Sequence, residues 1–234
     1  MLEQNKMLGR GKQPEQRHAI YGNVAQHMCA NHVAPEHVPE PRCLRCGKPV
    51  RYDETEYCND CKHTDFSYDQ GRSLYLHKDP VSKAIYDFKF HNKRIYGEYF
   101  AKEMADEYRP LIKRWNIKEI IPVPLHPKKR RVRGYNQAEV LAKELGKQLH
   151  IPVNNDCIYR IENTPPQKTL NNKERRKNLR RAFAIDREWK PSGNVLLVDD
   201  IYTTGSTIDA MARLLKRKGT PNVYFLTISI GQGD

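Results

Sequence analysis

Two adjacent carboxylates follow a short apolar run near the end of the chain. Asp199 and Asp200 come directly after Val195–Val198, and a hydroxyl-rich loop around Gly205 leads from them into a helical pattern. Carboxylate oxygens accept hydrogen bonds from the vicinal hydroxyls of a sugar, or they help to hold a divalent ion. Backbone N–H groups and hydroxyls before a helix form a pocket for a phosphate. The predicted ribose 5-phosphate site therefore comprises Asp199, Asp200, Thr203, Thr204, Gly205, Ser206 and Thr207.

A simpler interpretation exists for each part of this segment. An Asp-Asp pair can form a turn, and Ser206 or Thr207 can cap a helix without binding any ligand. The order of strand, acid pair, hydroxyl-glycine loop and helix is more specific than its parts. It places the polar groups at the carboxyl end of a strand, which is where open α/β sheets bind ligands.

A second constellation consists of four cysteines in two Cys-x-x-Cys pairs. Cys43 and Cys46 form the first pair, and Cys58 and Cys61 form the second. Two disulfides or a redox pair would fit the same spacing, but a reducing compartment disfavours disulfides. Two such pairs that face each other supply the four sulfur ligands that structural zinc prefers. The spacing predicts a zinc ribbon with no open position for catalysis.

The charge balance favours a polyanionic partner. The 234 residues contain 41 Lys and Arg against 28 Asp and Glu, for a net charge of +13. Nucleic acid or a phosphorylated metabolite would suit this charge, although a solvated basic face is common. The apolar runs are far shorter than the roughly 20 residues of a membrane span, and the start lacks a signal-peptide core. We expect a cytoplasmic protein with no membrane span.

Two basic clusters are candidates for surrounding an anionic ligand or for binding a phosphate backbone. One covers 128–133 and the other 168–181, and both fall in predicted loops on the carboxyl edge of the sheet. Tyr135 is close enough to the first cluster to offer a ring for stacking on a base. Solvated surface charge is the alternative for both. The predicted DNA-binding residues are Lys128, Lys129, Arg130, Arg131, Arg133, Tyr135, Arg175 and Arg176.

The elements that position these groups alternate between strands and helices. Residues 117–125 and Val195–Val198 form buried strands, and helical stripes start behind Asn136 and at Ile208. This alternation predicts an α/β fold, a parallel sheet with flanking helices, beside a small four-cysteine zinc ribbon. We expect a poorly ordered tail at 1–41, the ribbon at 42–66 and the sheet domain at 67–234.

The acid pair and its loop resemble the phosphoribosyl diphosphate motif of type I phosphoribosyltransferases. The chain from Cys43 to Ile230 resembles the ComF family in Arg133–Gln137, in the cysteine ribbon and in the spacing of Gln167, Leu170, Arg175 and Asn178. The resemblance implies a phosphoribosyltransferase-like domain that binds phosphoribosyl diphosphate with Mg²⁺, a pyrophosphate turn at Pro122–Leu125 and a loop over the site at 167–178. It also implies contact with single-stranded DNA and other competence proteins during natural transformation.

Two functions remain open on the sequence. An enzyme would transfer the phosphoribosyl group and release pyrophosphate, whereas a binding protein would use the same pocket as a sensor or scaffold. No segment is clearly built to read a nucleobase or deliver an amine, so the acceptor and the catalytic residues are unassigned. The departure from the family pattern lies before Cys43, where many members carry an earlier cysteine pair.

Overall fold

The computed structural model describes residues 34–162 and 181–231. The strands are β1 (Gln70–Leu76), β2 (Ile117–Pro122), β3 (Ile158–Arg160), β4 (Phe183–Ile185), β5 (Asn194–Tyr202) and β6 (Val223–Ile230). The helices are α1 (Asn59–His63), α2 (Val81–Phe90), α3 (Ile95–Arg114), α4 (Pro127–Arg133), α5 (Gln137–Leu149) and α6 (Ser206–Arg217).

Four parallel strands form the central sheet in the order β1-β6-β5-β2. A parallel bridge between Ile120 and Val153 continues the sheet beyond β2. The short strands β3 and β4 form a separate antiparallel pair, which the sequence pattern does not predict. The predicted α/β fold, with helices on both faces of a parallel sheet, is confirmed.

The strands are apolar on both faces because helices cover both sides of the sheet. Leu196 and Val198 of β5 pack with α2, α3 and α5 on one face. Val195 and Leu197 pack on the opposite face, where α6 and the cysteine-rich segment lie. The cysteine-rich segment is thus part of the second hydrophobic core.

Two predicted helices begin where the sequence indicates. The Asn136 side chain accepts a hydrogen bond from the N–H of Ala138 at 3.1 Å and caps α5. On α6, Ile208, Met211 and Leu215 are buried against the sheet. No helix within the described ranges is long and apolar enough to cross a membrane.

Residues 34–41 lie beside the edge strand β1, although their composition predicts a poorly ordered tail. The N–H of Val38 donates to the carbonyl of Leu74 at 3.1 Å, and Val38 is buried. His37 pairs with Tyr75 in an antiparallel bridge. This segment therefore covers the free edge of β1, and residues 1–33 lie outside the described chain.

Candidate functional site

The acid pair lies near the carboxyl end of β5, on a central strand of the sheet. Asp199 and Asp200 are both half-buried, and Oδ1 of Asp199 accepts a hydrogen bond from the N–H of Asp200 at 2.9 Å. Burial raises the pKa of the Asp199 carboxyl to about 7, and the charge of Asp200 acts in the same direction. Lys89 and Arg160 oppose this shift. The site therefore holds the Asp199 carboxyl in an environment that disfavours its charge.

Lys89, in the last turn of α2, neutralises one of these acids. Its Nζ lies 2.9 Å from Oδ2 of Asp200, and the two side chains are only 17% and 14% exposed. Sequence reasoning missed Lys89 because it is 111 residues from its partner and belongs to no motif. Only the packing of α2 against the carboxyl edge brings them together.

The hydroxyl loop has a rigid base formed by Tyr202. The Tyr202 ring stacks on Phe225 with centroids 4.8 Å apart, and its hydroxyl lies 2.6 Å from that of Tyr68. Gly205 lies against the hydroxyl end of this side chain with a φ of +73°, and a Cβ there would come within 2.4 Å of the Tyr202 hydroxyl oxygen. Glycine is therefore required here by both backbone conformation and space.

The loop presents its polar groups at the start of α6. Gly205 is the N-cap and offers no side chain, so the first N–H groups of the helix have no side-chain cap. The hydroxyls of Thr204 and Ser206 lie 2.8 Å apart, while Thr203 is exposed and Thr207 is half-buried. N–H groups without a side-chain cap, hydroxyls and a helix dipole together suit a phosphate.

The turn after β2 lies on the same edge of the sheet. The N–H of Val123 donates to the carbonyl of Val198 at 2.9 Å, next to the acid pair. The carbonyl of Val123 in turn accepts from Nδ2 of Asn136 at 2.9 Å. Asn136 thus ties the Pro122–Leu125 turn to the start of α5, as well as capping that helix.

The four predicted zinc ligands come together. The Sγ atoms of Cys43, Cys46, Cys58 and Cys61 all lie within 4.8 Å of one another, and none is in a disulfide. Tetrahedral zinc with Zn–S bonds of about 2.3 Å needs sulfurs roughly 3.8 Å apart. The donor set and its spacing fit a structural zinc ion.

The ribbon faces the hydroxyl loop across a cavity of about 880 Å³. Thr203 and Thr204 line one side, and the ribbon contributes cationic side chains to the other. Lys48 is buried and pairs with Asp60 at 2.7 Å, while Arg51 and Lys62 are exposed. The cations of this cavity are Lys48, Arg51 and Lys62.

The first basic cluster forms α4, a helix in which no residue is buried. Lys128, Arg130 and Arg131 are exposed, and Lys129 and Arg133 are half-buried. Arg130 forms an ion pair with Glu139. The cluster is a helix rather than the predicted loop, because Pro127 begins it and His126 caps it.

Tyr135 does not present its ring to solvent. It is 5% exposed, its hydroxyl donates to the carbonyl of Phe88, and the Arg94 guanidinium lies 4.6 Å from its ring centroid. The structure thus places Tyr135 in the core rather than on the surface predicted for base stacking. Arg175 and Arg176, with the predicted loop at 167–178, lie outside the described residues.

Curated relatives match most of the chain. Competence protein F of Haemophilus influenzae is 34% identical over 188 residues, which cover 78% of this chain and 82% of that protein. The chain belongs to the ComF family of competence proteins. Another ComF-family match is the Bacillus subtilis competence protein ComFC, 28% identical over 76% of this chain and 72% of that one. The DNA utilization protein YhgH of Escherichia coli K12 is 26% identical over 77% of this chain and 80% of that one. No protein-family model matches the chain.

Solved structures that match part of the chain include phosphoribosyltransferases. The Saccharomyces cerevisiae adenine phosphoribosyltransferase is 16% identical, with a TM-score of 0.37 over 57% of this ComF-family chain and 68% of the enzyme. The Staphylococcus aureus hypoxanthine phosphoribosyltransferase is 15% identical, with a TM-score of 0.37 over 60% of this chain and 68% of the enzyme. Because these TM-scores are low, the fold is assigned from the strand order of the sheet and from the helices that cover its two faces.

Proposed function

We propose that this ComF-family protein binds phosphoribosyl diphosphate and handles incoming single-stranded DNA in the cytoplasm during natural transformation. The observation that carries the proposal is the acid pair at the carboxyl end of β5, followed at once by the hydroxyl loop and the start of α6. The names of the relatives, competence protein and DNA utilization protein, support the link to DNA. Other competence proteins are the expected protein partners.

The ligand would lie along the carboxyl edge of the sheet. The 5-phosphate would accept hydrogen bonds from the N–H groups and hydroxyls of 203–207. Asp199 and Asp200 would accept hydrogen bonds from the two ribose hydroxyls. The diphosphate would extend toward the Pro122–Leu125 turn, whose position the hydrogen bond from Val123 to Val198 fixes.

Mg²⁺ is assigned to the ligand's diphosphate rather than to the acid pair. Lys89 already neutralises Asp200, so this carboxylate is better suited to accept a hydrogen bond from a hydroxyl than to hold a divalent ion. When bound, the metal would supply charge neutralisation on the leaving pyrophosphate. Asp106, an exposed carboxyl group on α3, provides a control for the role of the acid pair.

A catalytic phosphoribosyltransferase with an unidentified acceptor is the second candidate function. The edge that binds the ligand also carries cations, Lys89 and Arg160, beside the acid pair. Positive charge at this position would stabilise the developing charge of a departing pyrophosphate. The binding function and the enzyme therefore require the same pocket and differ in whether the anomeric bond breaks.

Two measurements on the full chain test the proposal. Calorimetric titration with phosphoribosyl diphosphate and Mg²⁺ should give saturable binding, which ribose 5-phosphate should weaken by competition. Pyrophosphate release should then be followed with and without single-stranded DNA. Pyrophosphate release in either condition would establish the enzyme, and release that rises with DNA would connect its activity to DNA. Binding without release would support the binding function over an enzyme that uses DNA as its acceptor. Absence of binding in the first measurement would refute the assigned pocket.

A further inference from the structure

Two aromatic side chains lie in solvent on the outer face of α2. Tyr86 and Phe90 are 54% and 51% exposed, although their helix buries five other residues in the core. They are one helical turn apart, and their ring centroids are 4.8 Å from each other. A large aromatic ring that stays exposed forgoes the hydrophobic stabilisation that burial would provide. An exposed cluster of such rings is typical of a binding surface.

The aromatic pair adjoins the basic helix α4. The guanidinium of Arg133 lies 4.8 Å from the Phe90 ring centroid, so α4 and α2 form one continuous surface. Arg131 and Lys128 extend the positive charge along α4, both exposed. The surface defined by Tyr86, Phe90, Arg133, Arg131 and Lys128 is called here the α2/α4 patch.

The charge of the patch limits what can cover it. Residues 1–33 contain four Lys or Arg against two Glu, and residues 163–180 contain six against one. Neither segment of this chain has the charge to pair with a basic surface, and a second copy would bring the same positive patch. The occupant must be an anion.

The rings specify which kind of anion fits. A free phosphate or a sugar phosphate offers no flat apolar face, and duplex DNA stacks its base faces inside the helix. A single strand combines unstacked bases with a charged backbone, which matches rings set beside cations. Lys89, the residue before Phe90, pairs with Asp200, so the patch borders the proposed phosphoribosyl site.

We infer that the α2/α4 patch is a base-stacking platform for single-stranded DNA, with Tyr86 and Phe90 stacking bases and Lys128, Arg131 and Arg133 binding phosphates. The inference rests on the proposed handling of single strands and specifies where it occurs. Since every base has an apolar face, the platform binds without sequence preference. It also supplies the exposed rings that the buried Tyr135 does not.

The test compares three variants of the full chain in fluorescence anisotropy with a labelled oligothymidine at several salt concentrations. The Tyr86→Ala/Phe90→Ala variant should bind at least about tenfold more weakly with the salt slope unchanged, because stacking contributes roughly 1–3 kcal/mol per base. The Tyr86→Leu/Phe90→Leu variant should bind almost as weakly, because leucine is apolar but not flat. Tyr52→Ala, at a ring 58% exposed on the ribbon, is the control and should bind like the wild type.

A strand that contains 2-aminopurine gives an independent signal, since stacking on a ring quenches its fluorescence. Quenching by the wild type that is lost in the Tyr86→Ala/Phe90→Ala variant supports the platform. Wild-type affinity in that variant, wild-type affinity in the Leu variant, or equally tight binding of a duplex would each overturn the inference while leaving DNA binding intact. Failure of the wild type to bind any single strand at low salt would overturn both the inference and the proposed DNA function.

Discussion

The Nζ of Lys89 lies 2.9 Å from Oδ2 of Asp200 and joins the end of α2 to the carboxyl end of β5. Because both side chains are mostly buried, water screens this pair less than a surface ion pair. The same helix carries Tyr86 and Phe90 on its exposed face. The pair therefore connects the proposed phosphoribosyl site with the proposed single-strand surface through one helix.

Lys89→Met should destabilise the fold. Methionine has a similar length but leaves Asp200 without its cation beside Asp199, and an unpaired, mostly buried charge is costly. We expect a loss of about 1–3 kcal/mol in the free energy of unfolding at pH 8, measured by urea denaturation. Lys102→Met, which removes an exposed pair with Asp106, is the control and should cost less than about 0.5 kcal/mol. Equal losses in the two variants would contradict the role given to Lys89.

Asp199→Asn should stabilise the folded chain at high pH. The pKa of Asp199 is raised from 3.8 to about 7, so its contribution to stability is present below about pH 4 and is lost as pH rises through 7. Asparagine keeps the hydrogen bond from the N–H of Asp200 and removes the charge. The variant should melt roughly 2–4 °C above the wild type at pH 8 for each kcal/mol gained. The difference in melting temperature between the variant and the wild type should shrink toward pH 5. A difference that grows as the pH falls would contradict the raised pKa of Asp199.

The Asp199→Asn/Asp200→Asn double variant should lose affinity for phosphoribosyl diphosphate. Each carboxylate is expected to accept a hydrogen bond from a ribose hydroxyl, and a hydrogen bond to a charged group contributes roughly 1.5–3 kcal/mol. Loss of both carboxylates should raise the Kd for phosphoribosyl diphosphate at least about tenfold, measured by calorimetry with Mg²⁺. Asp106→Asn, on the exposed face of α3, is the matched control. An unchanged Kd in the double variant would place the ligand elsewhere.

Much of this arrangement is encoded locally and is therefore readable from sequence. The acid pair, the hydroxyl loop and the start of α6 are contiguous, and the cysteine pairs have a spacing that zinc geometry dictates. The caps are local too, because Asn136 contacts the N–H of Ala138 two residues away. Short-range patterns of this kind need no knowledge of the tertiary fold.

Long-range contacts could not be predicted in this way. Lys89 reaches Asp200, and the hydroxyls of Tyr68 and Tyr202 meet across the second core, only because the sheet order brings distant segments together. The basic neighbours of Tyr135 in the sequence predict an exposed ring, yet its contact with Phe88 buries it in the first core. Charge near a residue in sequence does not indicate which way its ring points.

Metal analysis of the protein purified under reducing conditions should find about one zinc ion per chain, because four thiolates fill a tetrahedral site. Removal of the metal should also affect the hydroxyl loop. The cysteines share a core with Phe66 and Tyr68, and Tyr68 contacts the Tyr202 hydroxyl below Gly205. We expect chelation to lower the melting temperature and weaken binding of phosphoribosyl diphosphate together. A zinc content below about a tenth per chain, with the cysteines as disulfides, would refute the ribbon.

Replacement of Lys128, Lys129, Arg130 and Arg131 by Ala tests whether α4 binds a phosphate backbone. The logarithm of affinity for a single strand should fall linearly with the logarithm of salt, with a slope near 0.7 per phosphate contact. The four-Ala variant should lower this slope by about 2–3, and equally for unrelated sequences, since backbone contacts carry no sequence information. Because α4 buries none of its residues, the substitution should leave the melting temperature nearly unchanged.

The control for α4 removes charge from the opposite edge of the sheet. Lys113, Arg114 and Lys118 are exposed where α3 ends and β2 begins, so their replacement by Ala lowers the net charge without touching the carboxyl edge. If α4 contacts the single-stranded DNA, only the α4 variant should change the salt slope of DNA binding. Both variants should reduce the long-range attraction between the protein and DNA. Equal slopes in the wild type and the four-Ala variant would mean that α4 is solvated surface. In that case, the net charge of +13 would act only at long range.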